Sequence, residues 1–350
     1  MSGEQRGVAA SSLRLLLSAA EPFYSTAMRA RNALYAGGIF ASHALSRPVI
    51  SIGNITTGGT GKTPTVQWVA RHLLASGRRP AVLLRGYRKA GANTSDEAQL
   101  LAQSLKIPVR ANPDRVVAVG TLLRKHPEIE VILLDDAFQH RRVRRDLDIV
   151  LVDATHPFGH NHVLPRGLLR EPLSGLARAD VFIVTRFDLA SPDRLAETEA
   201  MIRRHNTSAP ILRSRHRITS IVNGTESRPL QSLRGARVFS FCGIGNPTSF
   251  HLDLNAAGVI DPGHRSFDDH HEYTHQEIAI LTARAREASA ELMITTEKDW
   301  VKIEPLLAEP SAIPIWRARV EVDFNAADAA ALRRLIDQAT GPAASPAGRV

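Results

Sequence analysis

Cysteine is nearly absent from this chain of 350 residues, with Cys242 the only one. That excludes an intrachain disulfide and a cysteine-based zinc cluster, and it suits a reducing compartment. Aromatic residues are scarce at 5%, which leaves little with which to build the stacking platforms of single-strand binders, so no nucleic-acid partner is expected. No run approaches the roughly 20 apolar residues of a spanning helix, and there is neither an internal repeat nor a long low-complexity segment. What is present is the composition of a globular protein, 43% hydrophobic and 23% charged, long enough for two domains. The formal net charge of +9 favours an acidic partner (nucleotide, nucleic acid, anionic lipid or phosphorylated substrate), or reflects an arginine-rich composition without function.

At the N-terminus Leu13, Leu16, Leu17, Ala20 and Tyr24 recur at helical spacing, followed by Phe23, Met28, Leu34, Tyr35 and Phe40 among Arg14, Arg29 and Arg31. One amphipathic helix or two are expected, packed on the protein's own core or lying on a membrane. Arg14 and Glu21 interrupt any signal-peptide core.

Beyond Pro48 the apolar runs are short and rich in β-branched residues: 48–53, 81–84, 131–134, 149–152 and 181–184, with helical or loop sequence between them. Buried parallel strands have this pattern, so a doubly wound, mostly parallel α/β sheet is expected, which the glycine-rich loop after the first run makes P-loop NTPase-like. A second series, at 237–241, 292–295 and 313–322, predicts a smaller α/β lobe. The expected division is an N-terminal amphipathic helical segment over 1–46, a P-loop kinase domain over 47–208, a smaller α/β domain over 209–340, and a tail over 341–350 with the composition of a frayed end.

Between the first strand and the helical pattern that opens near Thr65 lies Thr56-Thr57-Gly58-Gly59-Thr60-Gly61-Lys62-Thr63. Its second half is the core of a Walker A loop in the strand–loop–helix setting its mechanism requires. Glycines let backbone N–H groups wrap phosphate, Lys62 reaches the β- and γ-oxygens, and Thr63 ligates magnesium, so ATP and Mg2+ are the expected ligands. Thr56 stands where the general pattern has glycine. Asp135 and Asp136 end the 131–134 strand as Walker B acids should, one of them serving the metal. Arg166 and Arg170 suit bidentate contact with phosphate, although Arg170 beside Glu171 also reads as an ion pair.

Two coincidences compete with this reading. His271-Glu272-Tyr273-Thr274-His275 matches HExxH, but Thr274 with Glu277 forms a capping box that starts a helix after His271 and breaks the zinc spacing. Thr185-Arg186-Phe187-Asp188 resembles a degenerate guanine-reading NKxD, which keeps a membrane-recruited P-loop switch acting on a protein partner as the alternative function.

Taken together, Gly53-Asn54 with Gly58 to Pro64, Arg85-Gly86-Tyr87, Ser95-Asp96-Glu97, Asp135 to His140, Leu164 to Gly167 with Leu169 to Pro172, Phe241 to Pro247, Asp269-His270 and Thr295 to Asp299 resemble the tetraacyldisaccharide 4'-kinase family of lipid A biosynthesis. Ala137 and Leu168 stand where that family has glycine and proline. The resemblance implies transfer of the ATP γ-phosphate to the 4'-hydroxyl of a lipid A disaccharide precursor, giving lipid IVA at the cytoplasmic face of the bacterial inner membrane. The protein would be peripheral or monotopic there, meeting the lipid surface through its N-terminal segment, with no obligate protein partner evident. It further implies that Asp96 and His270 act as a base pair on the acceptor, with Lys62 as the third catalytic residue. Gln139 and His140, with Arg166 and Arg170, then become candidates for substrate contact. Asp96 reads equally well from its own surroundings as the first turn of a capped helix.

Overall fold

The structure, a computed structural model, describes residues 7–86, 96–269, 271–307 and 313–341, without the side chains of Val8, Ala9 and Asp96. The elements run α1 (Val8–Ala36), β1 (Val49–Asn54), α2 (Lys62–Ala75), β2 (Pro80–Leu84), α3 (Asp96–Leu105), β3 (Val109–Ala111), α4 (Arg115–Lys125), β4 (Val131–Asp135), β5 (Leu147–Asp153), β6 (Val181–Thr185), α5 (Pro192–His205) and β7 (Ile211–Asn223). There follow β8 (Glu226–Pro229), β9 (Val238–Cys242), α6 (Pro247–Ala256), β10 (His264–Ser266), α7 (His275–Glu287), β11 (Leu292–Thr296), α8 (Glu297–Ile303), β12 (Ile315–Phe324) and α9 (Ala326–Thr340).

Internal contacts divide the chain into two compact units. The first comprises Met1–Tyr87, Ser104–Arg215 and Asp323–Val350, and the second Arg88–Gln103 and His216–Val322. In the first unit the strand order is β7-β6-β5-β1-β4-β2-β3, every pair parallel. Strands β1, β2, β4 and β6 are buried along their whole length, which is why they read as unbroken apolar runs rather than alternating ones. The chain leaves β1 for β2 and β3, returns to β4, then crosses to β5 on the other flank of β1. Order therefore reverses at β1, and open α/β sheets bind ligands at the carboxyl ends of the strands at such a point. The P-loop sits there because it follows β1.

The N-terminal segment is one helix, α1, which continues through Pro22. Part of it docks on the first unit: the Tyr24 hydroxyl donates to the Arg170 carbonyl (2.7 Å), Arg31 to the Gln139 carbonyl (2.9 Å) and Asn32 to Glu171 (2.9 Å). Its outer side carries Leu13, Leu15, Leu16 and Phe23, the last two 68% and 79% exposed. The expected packing on the protein's own core is thus found on one face of a single helix, and the outer face is apolar and exposed. Among the described residues no helix is long and apolar enough to cross a membrane.

The second unit has its own parallel array, β10-β9-β11-β12, with β8 antiparallel to the end of β7. It is built around two clusters that include Phe250, Trp316, Phe241 and Trp300. The contact boundaries differ from the sequence division in two places. Helix α9, assigned by sequence to the smaller domain, packs on the first unit, where Asp337 meets His72 at 2.9 Å and the Thr340 carbonyl accepts from Arg78 at 3.1 Å. Of the described residues, 96–103, within the sequence-defined P-loop domain, group with the second unit. Neither could be read locally, because both depend on which unit a helix docks against.

Candidate active site

Strand β1 delivers the chain into the phosphate loop. Gly58 (φ +116°) and Gly61 (φ +86°) adopt left-handed backbone conformations that a side chain would strain. Gly61 begins α2 without a side-chain cap, so the first-turn N–H groups of α2 remain for an anion. Gly53, just before the loop, is required for a different reason: a Cβ there would come within 2.6 Å of the Phe138 amide nitrogen. The Asp135–His140 segment crosses β1 at that point, and this packing joins two blocks that lie far apart in sequence.

A third block is brought in by backbone pairing. Thr56 and Leu169 form an antiparallel bridge, and Thr57 and Arg170 donate their amides to Leu168 and Ile55 at 2.7 and 2.8 Å. This sets the Arg170 guanidinium against Asp136 as a bidentate pair at 3.0 and 2.7 Å. The same guanidinium donates to the Thr56 carbonyl at 2.9 Å and to Asn54. Lys62 completes the group, with Nζ 3.7 Å from the Asp136 carboxylate and 3.3 Å from Asn54 Oδ1. Asp136 itself has a left-handed backbone (φ +49°) just past β4. Burial pushes its carboxyl up, but Lys62, Arg170 and Arg115 outweigh burial and hold it at about 2. An ionised carboxylate beside the P-loop lysine has the hard oxygen character that magnesium requires, and Thr63 adds a hydroxyl in the first turn of α2.

Arg115 was not singled out by sequence. Its side chain is 2% exposed and donates to the carbonyls of Asp135 (2.7 Å) and Asp136 (3.1 Å). Burial lowers its pKa to about 10, so it stays charged at neutral pH. Lys62, Arg115 and Arg170 thus gather around the two acids, an excess of positive charge suited to a polyphosphate.

The ion pair read between Arg170 and Glu171 is not formed: Arg170 takes Asp136. Glu171 is fully buried and accepts from Arg178 at 2.9 and 3.0 Å, from Gln139 at 3.0 Å and from Asn32 of α1. Gln139 also donates to the Asn54 carbonyl (3.0 Å), so it braces the end of β1. His140 is drawn down to about 4 by burial and by Arg115, Arg145 and Arg142, which makes it a neutral imidazole at physiological pH. Arg166 lies apart from the Asp136 cluster in its bonding and donates to Ser18 of α1 at 2.9 Å.

Helix α3 begins at Asp96, but the Asp96 side chain and all of His270 lie outside the described residues. Thr274 caps α7 in a complete capping box with Glu277, so His271 precedes the helix and the HExxH spacing has no helical basis. Among the described residues no group of three or more His, Cys, Asp or Glu is arranged to hold a metal ion. The NKxD-like segment bonds the phosphate loop itself: Thr185 donates to the Thr60 carbonyl at 3.1 Å and Arg186 to that of Gly59 at 2.9 Å. Sequence reasoning missed Arg115 and Asn32 altogether; it named Tyr24 and Arg31 only as positions on a helix, Glu171 only as a rival partner for Arg170, and Arg186 only within the NKxD-like segment.

Comparison with known proteins agrees with this geometry. Residues 13–340 match the family model for tetraacyldisaccharide-1-P 4'-kinase. The tetraacyldisaccharide 4'-kinase of Anaeromyxobacter dehalogenans (strain 2CP-C) is 37% identical over 328 residues, covering 88% of this chain and 86% of that protein. The enzyme of that name from Halothermothrix orenii is 35% identical, covering 82% of each. The crystal structure of LpxK from Aquifex aeolicus in complex with ATP superposes with a TM-score of 0.73 at 27% identity, covering 94% of this chain and 100% of that one. With the phosphate loop, the paired acids and the arginine clamp assembled as described, the chain belongs to the tetraacyldisaccharide-1-P 4'-kinase family.

Proposed function

We propose that this protein transfers the γ-phosphate of ATP to the 4'-hydroxyl of tetraacyldisaccharide 1-phosphate, yielding lipid IVA and ADP. The observation that carries the reading is the Lys62–Asp136–Arg170 cluster at the mouth of the phosphate loop. The Asp136 carboxylate neutralises both cations. An arriving triphosphate takes over that role: Lys62 and Arg170 turn to phosphate oxygens, and backbone N–H groups of Gly58 to Thr63 enclose the β-phosphate. Asp136 and Thr63, with Asp135 behind them, would hold Mg2+, whose chemical contribution is to neutralise charge on the β- and γ-phosphates.

On the acceptor side, Asp96 takes the proton of the 4'-hydroxyl as its oxygen bonds the γ-phosphorus and the bond to the β–γ bridging oxygen breaks; His270 orients Asp96. This assignment rests on family resemblance and on the need for a base when a sugar hydroxyl attacks phosphorus. Gln139, His140 and Arg166 are assigned to the acceptor side, Gln139 indirectly through its hold on Asn54 and Glu171. The exposed apolar face of α1 suits contact with a lipid surface, since its large side chains are turned away from the protein. The substrate is itself a membrane lipid, so we place the protein peripherally at the cytoplasmic face of the inner membrane. No nucleic-acid or obligate protein partner is invoked, and no contact of the Thr185–Asp188 segment favours the switch alternative.

The test is incubation of purified protein with MgATP and disaccharide 1-phosphate in detergent micelles. A bis-phosphorylated lipid is expected, with ATP preferred over GTP. Folded, ATP-binding protein that gives no such product would refute the proposal.

A further inference from the structure

The Thr185-Arg186-Phe187-Asp188 segment has no part in the chemistry above, yet two of its side chains are committed to the phosphate loop. Thr185 is fully buried at the end of β6 and donates its hydroxyl to the Thr60 carbonyl at 3.1 Å. Arg186 follows with a left-handed backbone (φ +52°) and donates to the Gly59 carbonyl at 2.9 Å while pairing with the Asp153 carboxylate. Asp153 is the register partner of Thr185 on β5. It is fixed in turn by the Thr155 amide and hydroxyl, at 2.9 and 2.7 Å. Both side chains of the Arg186–Asp153 pair are only 13% exposed, so water competes weakly for either partner.

The consequence follows from peptide geometry. In a planar trans peptide the C=O and N–H vectors point in opposite directions. Holding the carbonyls of Gly59 and Thr60 from the β6 side therefore directs the N–H groups of Thr60 and Gly61 the other way, where that of Thr60 bonds the Gly58 carbonyl at 3.2 Å within the loop until a phosphate replaces it. Gly59 supplies the freedom for the Gly59–Thr60 peptide to turn over when its carbonyl is released, and a turned peptide offers a phosphate an acceptor in place of a donor.

We infer that Arg186, held by Asp153, is a positioning residue for the triphosphate: together with Thr185 it fixes the orientation of two successive P-loop peptides. The inference rests on the reading that Gly58 to Thr63 hold the triphosphate. It gives the NKxD-like segment a task directed at the phosphates and not at the base.

The experiment compares equilibrium binding of ATP and of inorganic tripolyphosphate, which has no base, to the full-length wild type and to Arg186→Ala, Arg186→Lys, Asp153→Asn and Lys62→Ala, with folding checked by circular dichroism. Arg186→Ala should weaken both ligands by a similar factor, about 10- to 100-fold for loss of a hydrogen bond from a charged donor. Arg186→Lys should recover part of that loss, and Asp153→Asn should fall between. If Arg186→Ala does not fold, the Lys and Asn variants decide by the same criterion. Wild-type affinity for both ligands while Lys62→Ala loses them overturns the inference. Weakened ATP binding with unchanged tripolyphosphate binding also overturns it, assigning Arg186 to the nucleoside. Wild-type binding by Lys62→Ala would instead remove the phosphate-loop reading on which the inference stands.

Discussion

Replacing Asp136 by Asn removes one negative charge from between Lys62 and Arg170 and keeps the shape. The carboxyl titrates at about 2 in the fold against an ordinary aspartate value of 3.8, a difference worth about 2 kcal/mol of stability at neutral pH. Because the folded pKa is depressed, that contribution is fully present above the unfolded value and is lost as pH falls from about 4 towards 2; linkage leaves roughly half of it at pH 3. Urea denaturation of wild type and Asp136→Asn at pH 7, 4 and 3 should therefore show a gap that narrows with acid. The variant should also bind Mg2+-free ATP more tightly, by about tenfold or more, because Lys62 no longer has to leave a carboxylate 3.7 Å away. Turnover with MgATP should nevertheless fall by orders of magnitude, since the ionised oxygen proposed for the metal is gone. A stability gap independent of pH, together with turnover within tenfold of wild type, would refute the reasoning.

Three other outcomes are expected. Glu171→Gln leaves Arg178, whose guanidinium lies 4.4 Å over the Phe138 ring, without its buried counter-charge, and should destabilise the protein by about 3 kcal/mol in thermal or chemical unfolding; loss of the Asn32 contact should also free part of α1, seen as faster amide exchange there. Asp96→Ala should reduce kcat by about 100- to 10,000-fold while KM for ATP changes little, and a selective loss of ATP affinity would move Asp96 to the nucleotide side. Introducing Asp at both Leu16 and Phe23 should abolish co-sedimentation with anionic phospholipid vesicles and spare phosphorylation of a water-soluble acceptor analogue; unchanged sedimentation would refute the lipid-facing assignment of α1.

The fold of the first unit was legible because parallel strands covered on both faces produce contiguous apolar runs, and β1, β2, β4, β5 and β6 appear where those runs lie. The capped start of α7, which removes the HExxH reading, was legible too, since a capping box is a contact between residues three apart. The nucleotide side of the site was marked by glycines that only a left-handed turn or a close backbone crossing explains, Gly61 and Gly53 among them. For helix α9 and residues 96–103 the contact-based division differs from the one read along the sequence, because docking is decided by surfaces far apart in the chain.

What the sequence by itself determined is that a triphosphate loop follows a buried strand and that a particular family's motifs accompany it in order. The partner of each charged group was decided by tertiary structure alone. Arg170 stands next to Glu171 in the chain but pairs with Asp136, because the bridge between Thr56 and Leu169 carries it across to the end of β4. Glu171 instead is buried against Arg178 and α1, and Arg186 reaches Gly59 from the end of β6, with β5 lying between β6 and β1. Electrostatic partners are chosen by distance in space and by the cost of burying an unpaired charge, and adjacency along the chain specifies neither.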